Sequence, residues 1–205
     1  FITVWSPCFD QAGQKAAATV RLSLSAYTIA VDGHPWSTEY SMAWEPCFGP
    51  APGDVLAPVM RNKRWGLAKN DTIFWDPEYL QLWHVQIDSK GREIAALGSS
   101  KYGRFTVVRN NRPWQNWYPV LTDLRLSPDG ERAAAVGQVG SENPNEDPGT
   151  KTNKWQIILD DAPWSGCYDK VFSPVFSPDS KHLAVRIKHG GKFAFLVDGA
   201  LFPRT

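Results

Sequence analysis

Ten tryptophans, four histidines, three cysteines and a series of turn aspartates are the residues of this 205-residue chain that could carry chemistry. Tryptophan offers stacking platforms for sugars or cofactors and stations for electron hopping. Cysteine, histidine and aspartate offer metal ligation, nucleophilic attack and proton transfer. The spacings do not support those uses. Cys8, Cys47 and Cys167 form no CxxC or CxxCH and no paired set, which argues against a metal cluster or covalent haem. His34, His84, His182 and His189 fall at four different places in the pattern described below. No HExxH, GxSxG or glycine-rich phosphate loop is present. The reading therefore names no catalytic residue, no metal ligand, no cofactor-binding residue and no cofactor. Electron hopping is set aside as well, because tryptophan oxidation needs a potential far above that of low-potential carriers.

The tryptophans are explained by a repeat. Trp36, Trp75, Trp114 and Trp164 stand 39, 39 and 50 residues apart, each followed four residues later by a tyrosine: Tyr40, Tyr79, Tyr118 and Tyr168. Trp5, Trp44 and Trp83 share a second position with Phe172. Trp155 shares a third with Tyr27, Phe105 and Phe193. These eight tryptophans (Trp5, Trp36, Trp44, Trp75, Trp83, Trp114, Trp155 and Trp164) read as structural aromatics filling the space between repeat units. Trp65 and Trp117 fall off the frame, and Trp117, in "WQNWYP", reads as the better surface candidate. Cys8 and Cys47 are equivalent to Val175, so their slot is a packing slot.

The elements that carry these positions follow from the same frame. Phe9, Phe48, Ile87, Leu126 and Phe176 each precede a turn, of which "SPDG" and "SPDS" are the clearest. Asp129 and Asp179 are turn residues there, since proline sets φ and aspartate bonds the backbone ahead of it. "VDG", at Asp32-Gly33 and Asp198-Gly199, is a hairpin turn. Each unit predicts four short strands in about 39 residues, which is the blade of a β-propeller. The predicted fold is all-β, a single β-propeller domain over 1–205 with units 1–36, 37–75, 76–114, 115–164 and 165–205. It is either a closed five-bladed ring or part of a larger propeller. If the ends meet, "FITV" would complete the blade begun by "ALFPRT". Phe1 itself reads as the start of a processed product or a fragment.

Departures from the repeat mark candidate contact sites. Eleven extra residues lie in 139–153, joining the second and third strands of unit four. Ser141, Glu142, Asn143, Asn145, Glu146 and Asp147 of this polar, acidic loop are candidate partner-binding residues. So are Trp117 and the basic run Arg61, Lys63 and Arg64. Pro58 in a second strand predicts an edge or a bulge. The inner strands offer Pro7, Glu45, Gln86, Arg125 and Pro174 near the channel, a mixed set. The formal net charge of +1 argues against nucleic acid as partner, and no apolar run is long enough to span a membrane.

The Ser-Pro-Asp-Gly units resemble the WD40-like repeats of TolB-type propellers. The combination of "VDGxPW", tyrosine four residues on, "KWQIILDDAPW" and "VFSPVFSPD" is similar to the tryptophan-rich subunit of the Tmc transmembrane electron-transfer complex of sulfate-reducing bacteria. That resemblance covers all five units and is weakest in the second, where the signature reads "NDTIFW". It implies a cofactor-free accessory or scaffold subunit without enzymatic activity, cytoplasmic and peripheral to the inner membrane, acting by protein–protein interaction. Its implied partners are the cytochrome b and iron–sulfur subunits of such a complex. The alternatives are a TolB-like periplasmic binding propeller and a propeller enzyme with a small-ligand site in the central channel.

Overall fold

The computed structural model describes residues 1–139 and 154–202. They form five antiparallel sheets. The first holds β1 (Thr3–Phe9), β2 (Ala16–Arg21), β3 (Tyr27–Val31) and β4 (His34–Pro35). The second holds β5 (Met42–Ala43), β6 (Cys47–Phe48), β7 (Val55–Arg61), β8 (Arg64–Lys69) and β9 (Thr72–Tyr79). The third holds β10 (Gln81–Ile87), β11 (Ile94–Lys101), β12 (Arg104–Arg109) and β13 (Arg112–Pro113). The fourth holds β14 (Leu121–Leu126), β15 (Ala133–Val139), β16 (Lys154–Leu159) and β17 (Ala162–Pro163). The fifth holds β18 (Lys170–Val171), β19 (Val175–Phe176), β20 (Leu183–His189), β21 (Lys192–Val197) and β22 (Ala200–Phe202). Each sheet is a propeller blade, with its strands in chain order.

The blades stack face to face, and the core lies between them. Alternation along each strand sends one set of side chains to the preceding blade and the other to the following one. On blade 3, Ile94, Ala96 and Val108 pack towards blade 2, while Ala95, Leu97 and Val107 pack towards blade 4. This two-sided burial explains why second and third strands read as unbroken apolar runs such as "AALG" and "AAAV". At one third-strand position the blades carry Ile29, Leu67, Val107, Ile157 and Phe195, opposite Thr19, Pro58, Leu97, Val136 and Arg186. The first four are fully buried; Phe195 is 54% exposed, as Val175 and Phe193 beside it are 62% and 64%. The outward face of blade 5 thus carries interblade residues but faces solvent. On blade 1, Val4 and Phe9 are exposed in the same way.

"FITV" does not complete the last blade. Ile2 N–H donates to Arg21 O, and Thr3 and Val4 pair with Arg21 and Val20 inside blade 1. The residues of this stretch are exposed, and Val4 lies on the uncovered face of blade 1. The fourth strand of a unit also continues past the tryptophan that closes the sequence repeat. Tyr40, Tyr118 and Tyr168 bridge back to Tyr27, Phe105 and Trp155, and Tyr79 pairs with Trp65.

The outer turns share one device. Asp32, Asn70, Asn110, Asp160 and Asp198 all have φ between 46° and 49°, and the residue after each is also at positive φ. This is the twin-positive geometry of a tight hairpin turn, so "DG", "ND", "NN" and "DD" serve alike. In all five, the side-chain Oδ1 accepts the backbone N–H that opens the second strand: Ala16, Val55, Ile94, Ala133 or Leu183.

A second turn residue ties blades together. Asp71 of blade 2 accepts from Ser37 N, Ser37 Oγ and Thr38 N of blade 1, and Asp161 of blade 4 accepts from Gln115 N and Asn116 N of blade 3. Partial burial raises the Asp71 carboxyl, but the bonds from Ser37 and Thr38 outweigh it and hold the group below its ordinary value. A depressed carboxylate contributes stability that is present above the ordinary value, about 3.9, and lost as pH falls through the folded one. The stability difference between the parent and Asp71→Asn will therefore shrink as pH falls below about 4. Thermal melts of both proteins across acid pH check this.

Gly66 is required by a bulge between β8 and β9. A Cβ there would lie 2.3 Å from Trp75 O and 2.9 Å from Pro77 N, both backbone atoms. Gly66→Ala is expected to cost about 1–3 kcal/mol, read as a lowered melting temperature. Pro58, in the centre of β7, lies opposite the break between β5 and β6, where Trp44 N–H donates to Pro58 O. The bulge expected for this proline is there.

Candidate functional site

The innermost strand of every blade is interrupted near its middle. Register shifts fall between Trp5 and Cys8, Trp83 and Gln86, and Thr122 and Arg125, and in blades 2 and 5 the strand splits in two. Ser6, His84 and Asp123 take positive φ in these bulges, at 50°, 55° and 54°. The bulges re-aim side chains towards the next blade. Cys8 Sγ donates to Pro46 O at 3.3 Å. His84 Nε2 lies 3.1 Å from Leu124 O and 3.2 Å from Arg125 Nη1, and Ser173 Oγ donates to Asp123. Of the inner-strand set read from the sequence, Arg125 is thus brought to a partner, His84; the structure records no joint site for Pro7, Glu45, Gln86 and Pro174. The row works as a clasp between blades. Cys47 belongs to the same packing: burial pushes its thiol up to about 12 and also raises that of Cys8, so both stay protonated at neutral pH.

Turn chemistry accounts for Asp129 and Asp179. Asp129 Oδ1 accepts from Ser127 Oγ and Glu131 N, and Asp179 Oδ1 from Ser177 Oγ and Lys181 N.

The aromatics also have a recurring geometry. In four blades a ring from the first strand meets a ring from the third: Trp5 with Tyr27, Trp44 with Trp65, Trp83 with Phe105, and Phe172 with Phe193. Trp65 therefore lies on the frame, in the slot of Tyr27 and Phe105. β11 bulges by one residue between Gly98 and Lys101, whereas β7 pairs with β8 without a bulge, which brings Trp65 one residue closer to its anchor Phe48, as the unbulged β20–β21 hairpin does for Phe193. Trp36, Trp114, Trp155 and Trp164 pack against the interblade cores, and Trp75 is buried within one.

Between blades 2 and 3 the paired rings do not close on each other. Trp44, Trp65, Gln81, Leu82, Trp83 and Phe105 line a cleft of about 460 Å³. The ring pairs stand edge to face at 86° and 88°, leaving a hollow with an apolar wall and one amide. This is the size and make-up of a recognition pocket. A second hollow of about 530 Å³, lined by Asp123, Lys170, Phe172, Arg186 and Phe195 among others, lies along the uncovered face of blade 5.

The cleft lies at the end of the molecule where second strands turn into third strands. Arg61, Lys63 and Arg64 sit on the β7–β8 hairpin and Lys101 and Arg104 on β11–β12; all five are exposed. None forms an ion pair with another described residue. Tyr102, at the tip of β11–β12, is 90% exposed. The opposite end carries most of the carboxylates, Asp32, Asp71, Asp88, Asp129, Asp160 and Asp179 among them. A net charge of +1 thus conceals a polar distribution.

Arg61 lies on the face of blade 2 towards blade 1, with its guanidinium 5.8 Å from the Tyr40 ring centre; Arg64, paired with it, shares that face, and Lys63 sits at the hairpin tip. Trp117 is half-buried on the outer edge of blade 3, next to Tyr118. Ser141, Glu142, Asn143, Asn145, Glu146 and Asp147 lie outside the described residues.

The fold defines a WD40-like β-propeller. The β-propeller domain of the Trilobed protease from Pyrococcus furiosus superimposes with a TM-score of 0.61 at 11% identity, over 97% of this chain and 70% of that one. Tricorn protease gives 0.55 at 11% identity, over 85% of this chain and 18% of that one. TolB from Acinetobacter baumannii gives 0.47 at 15% identity, over 97% of this chain and 53% of that one. The chain thus spans about half the length of that TolB and under a fifth of tricorn protease. No family model matches the chain, and comparison with curated proteins finds no match.

Proposed function

We propose that this chain is a protein-binding propeller that presents its hairpin end to a partner. One observation carries the reading: an open aromatic cleft lies at the end of the blades where two exposed basic hairpins stand. Propellers recognise partners through loops held at the ends of a rigid ring of blades, and here those loops carry the surface residues that the core does not use. On the sequence resemblance, the partner is a membrane electron-transfer complex, in which the chain serves as an accessory subunit beside cytochrome b and iron–sulfur subunits, on the cytoplasmic side. No helix among the described residues is long and apolar enough to cross a membrane, so on this reading attachment is through those subunits.

The test is purification of the intact protein from its native membranes, followed by mass spectrometry and a visible spectrum. Cytochrome and iron–sulfur subunits that survive washing support the assignment. A colourless preparation without membrane subunits contradicts it. Periplasmic proteins in their place would favour the TolB-like alternative.

A further inference from the structure

Resting on that reading, we propose that the cleft between blades 2 and 3 recognises an acidic protein segment carrying one large apolar side chain. The apolar side chain enters the space between Trp44, Trp65, Trp83 and Phe105. Flanking carboxylates meet Lys101 and Arg104 of blade 3, with Lys63 at the tip of the neighbouring hairpin.

Three features select this occupant. First, the hairpins and the cleft are one construction. Lys101 and Arg104 pair across the β11–β12 hairpin, and alternation puts Arg104 on the same face as Val108, which packs towards blade 2, so both cations stand on the cleft side of blade 3. Second, the charge is unanswered among the described residues. Lys101 and Arg104 on that face and Lys63 at the tip of the neighbouring hairpin are exposed and form no ion pair with a described residue, and the cleft's chain-neighbouring carboxylates are Glu45, beside Trp44, and Glu78, beside Tyr79. A basic rim around an apolar centre is complementary to an acidic segment with an apolar anchor. Third, the shape argues against other anionic partners. The rings meet edge to face and enclose a hollow, whereas bases need open flat faces to stack on. Trp65, Trp83 and Phe105 are half-buried in the hollow rather than projecting towards a bilayer, and only Trp44 is substantially exposed, at 42%.

The experiment is selection from a random-peptide display library on the intact chain, with recovered peptides measured by fluorescence anisotropy. The expected peptides are rich in Asp and Glu around a Leu, Phe or Trp, and bind more weakly as salt is raised. The double reversal Lys101→Glu with Arg104→Glu is expected to weaken them about tenfold or more, and Trp65→Ala about 30-fold. Lys181→Glu, at the opposite end, should leave binding unchanged. Lys101 and Arg104 are exposed, so their reversal should keep the parent melting temperature; Trp65→Ala is read only if its circular dichroism matches the parent. Peptides without acidic bias, or bound equally by the double reversal, overturn the proposal while the protein-binding reading stands. Binding of phosphatidylserine vesicles or a single-stranded oligonucleotide through Lys101 and Arg104, with no peptide enriched, overturns it in favour of those partners. If peptides, vesicles and oligonucleotides all fail, the proposal falls; the membrane purification then decides separately whether the protein-binding reading falls too.

Discussion

Ile157→Ala and Phe195→Ala will differ sharply in cost although they change the same repeat position. Ile157 is fully buried between blades 4 and 5, in a cluster with Ala134, Val136, Leu183 and Val185. Removing its side chain loses transfer free energy and leaves a cavity, about 2–5 kcal/mol together. For a chain of this size that lowers the melting temperature by about 5–15 °C. Phe195 stands in the equivalent slot on the outward face of blade 5 and is 54% exposed. Its truncation removes area that water already reaches, so the expected cost is about 1 kcal/mol or less. Differential scanning calorimetry of the two variants reads the contrast. Equal costs would show that something covers the face of blade 5 in solution.

Asp160→Ala is expected to destabilise by about 2–4 kcal/mol, while Asp160→Asn stays close to the parent. Asp160 has φ 48° and accepts the N–H of Ala133, which is fully buried. Alanine removes that acceptor, orphans a buried donor and lacks the short polar side chain whose local hydrogen bond lets Asp or Asn hold a left-handed conformation. Asparagine keeps the acceptor and tolerates the conformation. The molecule already holds that substitution twice, since Asn70 and Asn110 make the same bond in blades 2 and 3. Urea unfolding of both variants provides the comparison. An Asn variant as damaged as the Ala variant would refute the account of the outer turn.

The blade was legible because its period repeats whole elements. Turn pairs such as Asp32-Gly33 and the Trp-to-Tyr interval recur in register, and register is what a sheet preserves. Trp65 escaped the frame because a hairpin one residue shorter moves it off the common interval while leaving its pairing with Tyr79 intact. "FITV" was open to two readings because an apolar tetrapeptide fits an inner or an outer strand equally; only its bonds to Arg21 and Val20 choose. The inner bulges were hidden for another reason. Ser6, His84 and Asp123 share a backbone conformation but no side-chain type, so the position leaves no trace in composition.

The cleft was half legible. Trp44 and Trp83 were placed in one slot and Phe105 in another. A repeat frame tells which positions are equivalent, but not which interblade gap stays open. That depends on how far facing rings approach, and edge-to-face packing of two large pairs at blades 2 and 3 holds this gap apart. The basic run at Arg61, Lys63 and Arg64 was visible. Its counterpart, Lys101 with Arg104, is split by Tyr102 and Gly103 and shows as a patch only when the two hairpins stand side by side.

The central claim is that partners bind at the hairpin end. Hydrogen exchange by mass spectrometry, on the protein alone and with the proteins that stay with it from native membranes, tests this most directly. Added protection is expected in segments around 61–65, 80–83 and 101–105, with the outer turns at 32–33 and 160–161 unchanged. Protection confined to those turns, or to the exposed face of blade 5, would contradict it.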